Sequence, residues 1–118
     1  RSLKAGPGSR LLVIGAGAVG LSAVMGGVLA GCEAIIVLEP RPERRALAAE
    51  LGATATVDPA AGDLVEAVRA IVPGGVDFVF DTSGIAPVVQ ASLGVLAPNG
   101  MIGLVGVPGD FAAALNLP

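Results

Sequence analysis

Three glycines and one carboxylate are the residues of this sequence whose types and spacing point most directly to chemistry. Gly15, Gly17 and Gly20 follow a G-x-G-x-x-G pattern, and Glu39 comes 19 positions after the last of them. Glycine allows a tight turn at the first position, lets a pyrophosphate approach the backbone at the second and permits close helix packing at the third. A carboxylate at this distance can accept hydrogen bonds from adenosine ribose hydroxyls. The spacing therefore predicts a dinucleotide-binding site.

The residues around the glycines predict the elements that such a site requires. Residues 11–14 form an apolar run typical of a strand, Ala18–Ala30 have the composition of a helix, and Ala34–Leu38 form a second apolar run that ends at Glu39. The N-terminus of the helix would present unpaired N–H groups and a partial positive charge to the phosphates. Because the motif stands in its full context, a glycine turn without a ligand is the less favoured interpretation.

Composition favours a buried parallel sheet and argues against several other classes. The chain has 118 residues, 53% hydrophobic and 14% charged, which fits one domain with a sheet covered on both faces. A net charge of −3 gives no basic surface for nucleic acid or a membrane. Glycines and Glu33 interrupt the longest apolar stretch before it reaches the roughly 20 residues of a membrane span. The single cysteine, Cys32, excludes an internal disulfide and predicts a reducing, cytoplasmic location.

The sequence contains no histidine, tyrosine or tryptophan. This composition excludes a Ser-His-Asp triad, a tyrosine-based hydride-transfer pair and any histidine-containing zinc site within the chain. Cys32 alone cannot form a structural zinc cluster. We therefore predict no catalytic residue and no metal site in these 118 residues, and we expect the reacting groups to lie elsewhere in a larger enzyme.

Alternation of strands and helices continues to the end of the chain. Further strands are predicted at residues 53–57, 76–80 and 101–105, and further helices from Pro42, after Asp63 and from Pro87 through Leu96. Short connections and right-handed crossovers then predict an α/β fold, a Rossmann-type doubly wound parallel sheet of order 3-2-1-4-5. Residues 112–117 predict a short edge segment, so the sixth strand is expected to be truncated or missing. We expect a linker remnant at residues 1–9 and a fragmentary dinucleotide-binding domain at residues 10–118.

Packing inside these elements can also be predicted. The first helix is apolar on almost every side, which predicts a buried crossover, and the Gly26–Gly27 pair inside it predicts close packing. Met25 and Met101 are expected in the core. Inward-facing stripes are predicted on the next two helices, and their members are Leu47, Ala48, Leu51, Leu64, Val68 and Ile71.

Four segments resemble, in this order, the medium-chain zinc-containing alcohol dehydrogenases. They are GSRLLVIGAGAVGLSAV at residues 8–24, LGA at residues 51–53, GGVDFVFDTSG at residues 74–84 and L-x-P-x-G-x-x-x-x-V-G-V-P ending at Pro108. Within that family the chain looks most like the aryl-alcohol, or benzyl alcohol, dehydrogenases. The resemblance implies a parent oxidoreductase that converts small alcohols to aldehydes or ketones with NAD or NADP. It also implies a catalytic zinc held in a separate domain, and we expect a homo-oligomeric parent.

The resemblance further implies a set of cofactor-binding positions. The pyrophosphate would lie at the turn formed by Gly15, Gly17, Ala18, Val19 and Gly20, and the ribose would lie at Glu39. The adenosine would lie near Arg44, Thr82 and Ser83. The nicotinamide carboxamide would face Val105, Gly106 and Val107. From the residues alone, Arg44 and Arg45 fit a solvated helix face about as well. Thr82 and Ser83 fit capping of the helix at Pro87 about as well.

The sequence leaves alternatives open for the cofactor and for the class of protein. Glu39 favours NAD over NADP, because its charge would face the additional phosphate of NADP. The same glycine turn and acid also fit the FAD domain of a flavoprotein, although the acid there usually follows the last glycine sooner. An S-adenosylmethionine-dependent methyltransferase and a non-catalytic nucleotide-binding module share the turn as well.

Overall fold

The computed structural model describes residues 7–104, in which strands and helices alternate. The strands are β1 (Arg10–Ile14), β2 (Ala34–Leu38), β3 (Ala55–Val57), β4 (Val76–Asp81) and β5 (Leu96–Leu104). The helices are α1 (Ala18–Ala30), α2 (Pro42–Leu51), α3 (Leu64–Ile71) and α4 (Ala86–Ser92), with 3₁₀ turns at Pro59–Ala61 and Leu93–Val95. No helix within the described range is long and apolar enough to cross a membrane.

All strand pairs are parallel, and the sheet has the order β3-β2-β1-β4-β5. The predicted Rossmann-type α/β sheet is therefore confirmed. The connections from β1 to β3 cross the sheet toward one edge, and the connections from β3 to β5 cross it toward the other edge. Because these crossovers are right-handed, α1 and α2 lie on one face of the sheet and α3 and α4 on the other. The chain reverses direction between β1 and β4, where doubly wound sheets bind ligands at the carboxyl ends of the strands.

Each face of the sheet has its own core. On one face, Leu12, Ile36 and Val79 pack with Val68 of α3. On the other face, the alternate strand residues Leu11, Val13, Ile35 and Val37 pack with Val24 of α1 and Ala48 of α2. The central strands are therefore buried on both sides, which explains their continuous apolar sequence.

The boundary between the last helix and the last strand differs from the prediction. Helix α4 ends at Ser92, and β5 begins at Leu96 and not at residue 101. Leu96 pairs with Val76, and the register then shifts before Phe78 pairs with Met101. Apolar residues in a helical spacing predicted a longer helix, but early pairing with β4 converts residues 96–100 to strand.

Strand β3 starts at Ala55, two residues later than predicted. The Ala53 N–H still donates to the Ala48 carbonyl at the end of α2. The Thr54 hydroxyl both accepts from Ile35 N–H at 2.8 Å and donates to its carbonyl at 3.2 Å. The Thr54 N–H also donates to the Ile35 carbonyl at 2.8 Å, so the backbone and the side chain of Thr54 both bind β2 just before β3 begins.

Helix α1 is not buried on every side, so that prediction was wrong. Val19, Met25, Val28 and Leu29 are all exposed, Leu29 by 89%. The same holds for Met101, Leu47 and Ile71, which lie outside the core although their apolar character predicted otherwise. Gly27 is closely packed, since a Cβ there would lie 3.1 Å from Ile35 and Leu11 side-chain atoms, whereas a Cβ on Gly26 would meet nothing within 4 Å.

Candidate functional site

The glycine turn joins β1 to α1 at the carboxyl edge of the sheet. Gly15 has a positive φ of 98°, and a Cβ there would collide with the Thr82 hydroxyl. A Cβ on Gly20 would collide with the Gly15 carbonyl oxygen. Both glycines are therefore required by the fold itself, one by its backbone conformation and one by the close approach of α1 to the turn.

Gly17 has a different environment. It is the N-cap residue of α1, with φ −79° and ψ −168°, a conformation open to any residue. A Cβ built on it would meet one neighbour within 4 Å, the Arg44 Nη1 at 3.4 Å. No side chain caps α1 at this end. Gly17 thus leaves the first N–H groups of a 13-residue helix accessible, which is a suitable environment for an anion.

Glu39 connects two loops of the site. Its Oε1 accepts a hydrogen bond from the Ala16 N–H at 2.7 Å, and its Oε2 accepts one from the Arg41 N–H at 2.9 Å. The residue is only 5% exposed. Glu39 therefore fixes the glycine turn to the connection between β2 and α2. Each carboxylate oxygen can accept a further hydrogen bond, so a ribose hydroxyl could still bind.

The two neighbouring arginines of α2 have separate roles. Arg45 Nη1 donates to the carbonyls of Glu39 and Pro40 at 2.8 and 3.0 Å and lies 3.8 Å from the Asp58 carboxylate. Arg45 therefore holds the β2–α2 connection and is not a merely solvated residue. Arg44 is half-buried and has no ion pair among the described residues. Its guanidinium and the α1 N-terminus are positive groups that share the space above Gly17, and an anion there would stabilise both.

A third connection, after β4, completes this edge of the sheet. The Thr82 hydroxyl donates to the Ile14 carbonyl at 2.9 Å. The fully buried Asp81 accepts hydrogen bonds from the Ser83 hydroxyl at 2.7 Å and from the Gly84 N–H at 3.0 Å. Neither Thr82 nor Ser83 is the N-cap residue of α4, which is Ile85, but the Ser83 hydroxyl accepts a hydrogen bond from the Ile85 N–H at 3.2 Å. These side chains fix the loop beside the glycine turn, and Asp81 binds two of its residues from the end of β4.

An apolar cleft of about 110 Å³ lies next to the glycine turn, and sequence reasoning did not find it. It is lined by the following residues from the ends of β1, β2, β3 and β4 and from α4: Ile14, Gly15, Leu38, Pro40, Pro59, Ser83, Ile85 and Val88. Pro40 and Pro59 come just after the neighbouring parallel strands β2 and β3. Because the carboxyl ends of parallel strands meet at one edge of the sheet, these two prolines were the sequence signal that could have indicated the cleft. Such a cleft suits a flat apolar ring.

The structure brings most of the predicted site residues together. Residues 15–20, Glu39, Arg44, Thr82 and Ser83 surround one edge of the sheet, whereas Val105, Gly106 and Val107 lie outside the described residues, as does the predicted edge segment at residues 112–117. No group of three or more potential metal ligands occurs within residues 7–104.

Cys32 lies away from this edge, just after α1. Its thiol is half-buried, and burial together with the negative charge of Asp77 raises its pKa above the ordinary value. The neutral thiol therefore predominates near pH 7, which agrees with a packing residue and not with a reactive nucleophile.

Comparison with known proteins identifies the family. A family model described as zinc-binding dehydrogenase matches residues 18–117. This chain belongs to that family. A geraniol dehydrogenase of Castellaniella defragrans is 45% identical over 112 residues, which are 94% of this chain and 30% of that protein. The chain thus spans about a third of the length of such a relative.

Solved structures of the zinc-binding dehydrogenase type share the fold. A benzyl alcohol dehydrogenase from Acinetobacter calcoaceticus has a TM-score of 0.86 at 31% identity, covering 98% of this chain and 34% of that one. A Sinorhizobium meliloti protein described as a zinc-binding dehydrogenase, solved bound to NADP, has a TM-score of 0.83 at 35% identity over 96% of this chain and 36% of that one. The predicted family resemblance is confirmed, and the chain corresponds to the cofactor-binding domain of alcohol-dehydrogenase-like oxidoreductases.

Proposed function

We propose that this chain binds NAD for an alcohol dehydrogenase and orients it for hydride transfer to or from an alcohol or carbonyl substrate. The observation that carries this proposal is that three features meet at the carboxyl edge of β1: Gly17, the N-terminus of α1 without a side-chain cap, and Arg44, which forms no ion pair within residues 7–104. Glycine leaves space for a ligand, and both positive groups favour phosphate.

The pyrophosphate and the adenosine half of the dinucleotide each have a matching feature. The pyrophosphate would bind the N–H groups at Gly17, Ala18, Val19 and Gly20, with Arg44 above them. The ribose hydroxyls would donate to Glu39, and the adenine ring would enter the apolar cleft that Pro40, Pro59 and Ile85 line, beside Thr82 and Ser83. A nicotinamide position at Val105, Gly106 and Val107 stays a prediction from the family resemblance.

When bound, the dinucleotide supplies hydride-transfer chemistry through its nicotinamide ring. This chain contributes binding and orientation: the turn fixes the phosphates, Glu39 fixes the sugar, and the cleft removes the base from water. The family name implies zinc, but the described residues hold no suitable ligand cluster. We propose that zinc and the alcohol or aldehyde bind outside this chain, in the larger part of a homo-oligomeric enzyme.

The proposed preference for NAD can be measured directly. Glu39 would lose a charged hydrogen bond to NADP and would repel its additional phosphate, which should cost about 2–3 kcal/mol, roughly a 30- to 150-fold preference for NAD. Isothermal titration of the chain with NAD and with NADP tests this expectation. Equal affinities, or tighter binding of NADP, would overturn the NAD assignment. NADP, which the Sinorhizobium relative binds, is the alternative that Arg41 and Arg44 would support.

Two further titrations separate the possible outcomes. An Arg44→Gln variant should weaken NAD and NADP by the same factor if Arg44 contacts the shared pyrophosphate, and should weaken NADP selectively if it contacts the additional phosphate. Titration with FAD tests the flavoprotein alternative, and FAD binding tighter than NAD would replace our proposal. The cytoplasmic location and the boundaries of the domain, residues 10–118, stay predictions.

A further inference from the structure

The apolar cleft beside the glycine turn has two walls, and different contacts support them. Ile85 and Val88 line the cleft from the side of α4. The Ile85 N–H donates to the Ser83 hydroxyl at 3.2 Å, so the loop after β4 holds this wall. Pro40 and Pro59 line the cleft from the ends of β2 and β3. The position of these two prolines depends on a separate set of contacts.

Backbone pairing between β2 and β3 stops just before the two prolines. Leu38 is the register partner of Val57, and the same register continued places Pro40 beside Pro59. The Glu39 N–H still donates to the Val57 carbonyl at 3.0 Å. A proline has no N–H, so neither Pro40 nor Pro59 can donate the next hydrogen bond of this ladder. Another interaction therefore has to hold the two chain segments at a fixed separation.

Arg45 of α2 contacts both segments through one nitrogen atom. Its Nη1 donates to the carbonyls of Glu39 and Pro40 at 2.8 and 3.0 Å. The same Nη1 lies 3.8 Å from the Oδ2 of Asp58. The other carboxylate oxygen of Asp58 accepts the N-terminal hydrogen bond of the 3₁₀ turn at Pro59–Ala61, at 2.9 Å. A single guanidinium thus connects the segment that follows β2 to the turn that follows β3.

We propose that Arg45 is a positioning residue for the adenine ring of the cofactor: it holds Pro40 and the turn at Pro59–Ala61 at the separation that a flat base requires. This inference rests on the proposed function, because it places the adenine in the cleft. Arg45 is not among the residues that line the cleft, so it acts through the two prolines. Its role differs from that of Arg44, which we place against the phosphates.

Two substitutions separate positioning from simple electrostatic attraction. Arg45→Met keeps a long side chain and removes its donors and charge, and it should raise the Kd for NAD about tenfold. Asp58→Asn removes the carboxylate charge that faces Arg45 and retains an oxygen that can cap the 3₁₀ turn. It should raise the Kd about threefold, because the side chains of the pair are 21% and 37% exposed and solvent screens them. Electrostatics alone would give the opposite sign for Asp58→Asn, since a lost negative charge favours binding of an anion.

Two further variants serve as controls. Arg45→Lys should bind NAD within about twofold of the wild type, because one nitrogen atom makes all the contacts of Arg45 and an ammonium can replace it. Arg69→Met is the matched control for loss of a structural arginine. Arg69 donates to the carbonyls of Pro73 and Gly94 at 2.9 and 3.2 Å, just before β4 and β5 begin at the opposite edge of the sheet. Its substitution should leave NAD affinity unchanged, even where it lowers stability.

Titration of the 118-residue chain with NAD, followed by two-dimensional NMR, measures these dissociation constants and shows whether each variant is folded. Unchanged affinity in Arg45→Met, tighter binding by Asp58→Asn, or an equal loss in Arg45→Lys and Arg45→Met would overturn the positioning role. If Arg45→Met does not fold, the sign of the Asp58→Asn effect decides. A wild-type chain that NAD does not shift would contradict the proposed function as well, whereas a wild type that binds NAD and Arg45 variants that bind it equally well would contradict this inference alone.

Discussion

At the scale of single residues, the three glycines of the motif have unequal roles. Gly15 and Gly20 are required for folding, because a side chain at either would collide with the Thr82 hydroxyl or the Gly15 carbonyl. Gly17 has an ordinary backbone conformation, and a Cβ there would have one neighbour within 4 Å, the Arg44 guanidinium. The fold itself therefore does not require glycine at this position, which supports our proposal that a ligand approaches the backbone there.

Substitution of Gly17 by valine should abolish dinucleotide binding and leave the fold intact. The valine side chain would fill the space above the first N–H groups of α1 and displace Arg44. Circular dichroism checks the fold, and calorimetry checks NAD affinity. Cys32→Ala is the neutral control, whereas Gly20→Ala should destabilise the fold through its collision with Gly15. A folded valine variant with unchanged NAD affinity would show that the phosphate position is wrong.

Sequence spacing predicted the turn and Glu39, because strand, glycine turn and helix are a local pattern. It could not assign Arg44 and Arg45 different roles, since that depends on which way two adjacent side chains of α2 point. The cleft lined by Pro40, Pro59 and Ile85 was also missed. Those residues are distant in sequence and come together only when the strand ends are aligned.

At the scale of elements, α3 follows Asp63 as predicted and begins with a side-chain cap. Asp63 Oδ1 accepts a hydrogen bond from the Glu66 N–H at 3.0 Å. Asp63→Ala should therefore lower the free energy of unfolding by about 1 kcal/mol, measured by urea denaturation. Asp63→Asn, which can still cap the helix, should change it by only a few tenths of a kcal/mol. Equal losses in the two variants would show that charge, and not capping, is responsible.

Most element boundaries followed from local signals, but the end of α4 did not. Leu93 and Leu96 have helical spacing, yet Leu96 pairs with Val76 in the sheet. Asn99 then adopts a left-handed φ of 67° at the irregular part of β5. Strand pairing between residues 20 positions apart decided this boundary, and local propensity cannot report such pairing.

At the scale of the whole molecule, our proposed cofactor site lies at the carboxyl edge of the sheet, and residues 7–104 hold no group of three or more potential metal ligands. We expect the chain to bind NAD only weakly, with a Kd of roughly 0.1 mM or higher, which corresponds to about 5 kcal/mol of binding free energy. We also expect no oxidation of benzyl alcohol, because a chain without histidine or tyrosine offers no suitable proton acceptor.

Absorbance of reduced nicotinamide measures this directly in a mixture of chain, NAD, zinc and benzyl alcohol. Buffer without protein is the blank, and the Gly17→Val variant controls for contaminating dehydrogenases. Steady turnover above the blank that survives metal chelation and disappears in the variant would reveal an active site within these 118 residues.

The two hydrogen bonds that the Glu39 carboxylate accepts from the Ala16 and Arg41 amides have a thermodynamic consequence for ligand binding. A free glutamate side chain loses up to about 2 kcal/mol of rotational entropy when a ligand immobilises it. Here the fold has already immobilised the carboxylate, so association with a sugar would not include that loss. The site is preorganised at this position, and the cost of ordering it is met during folding.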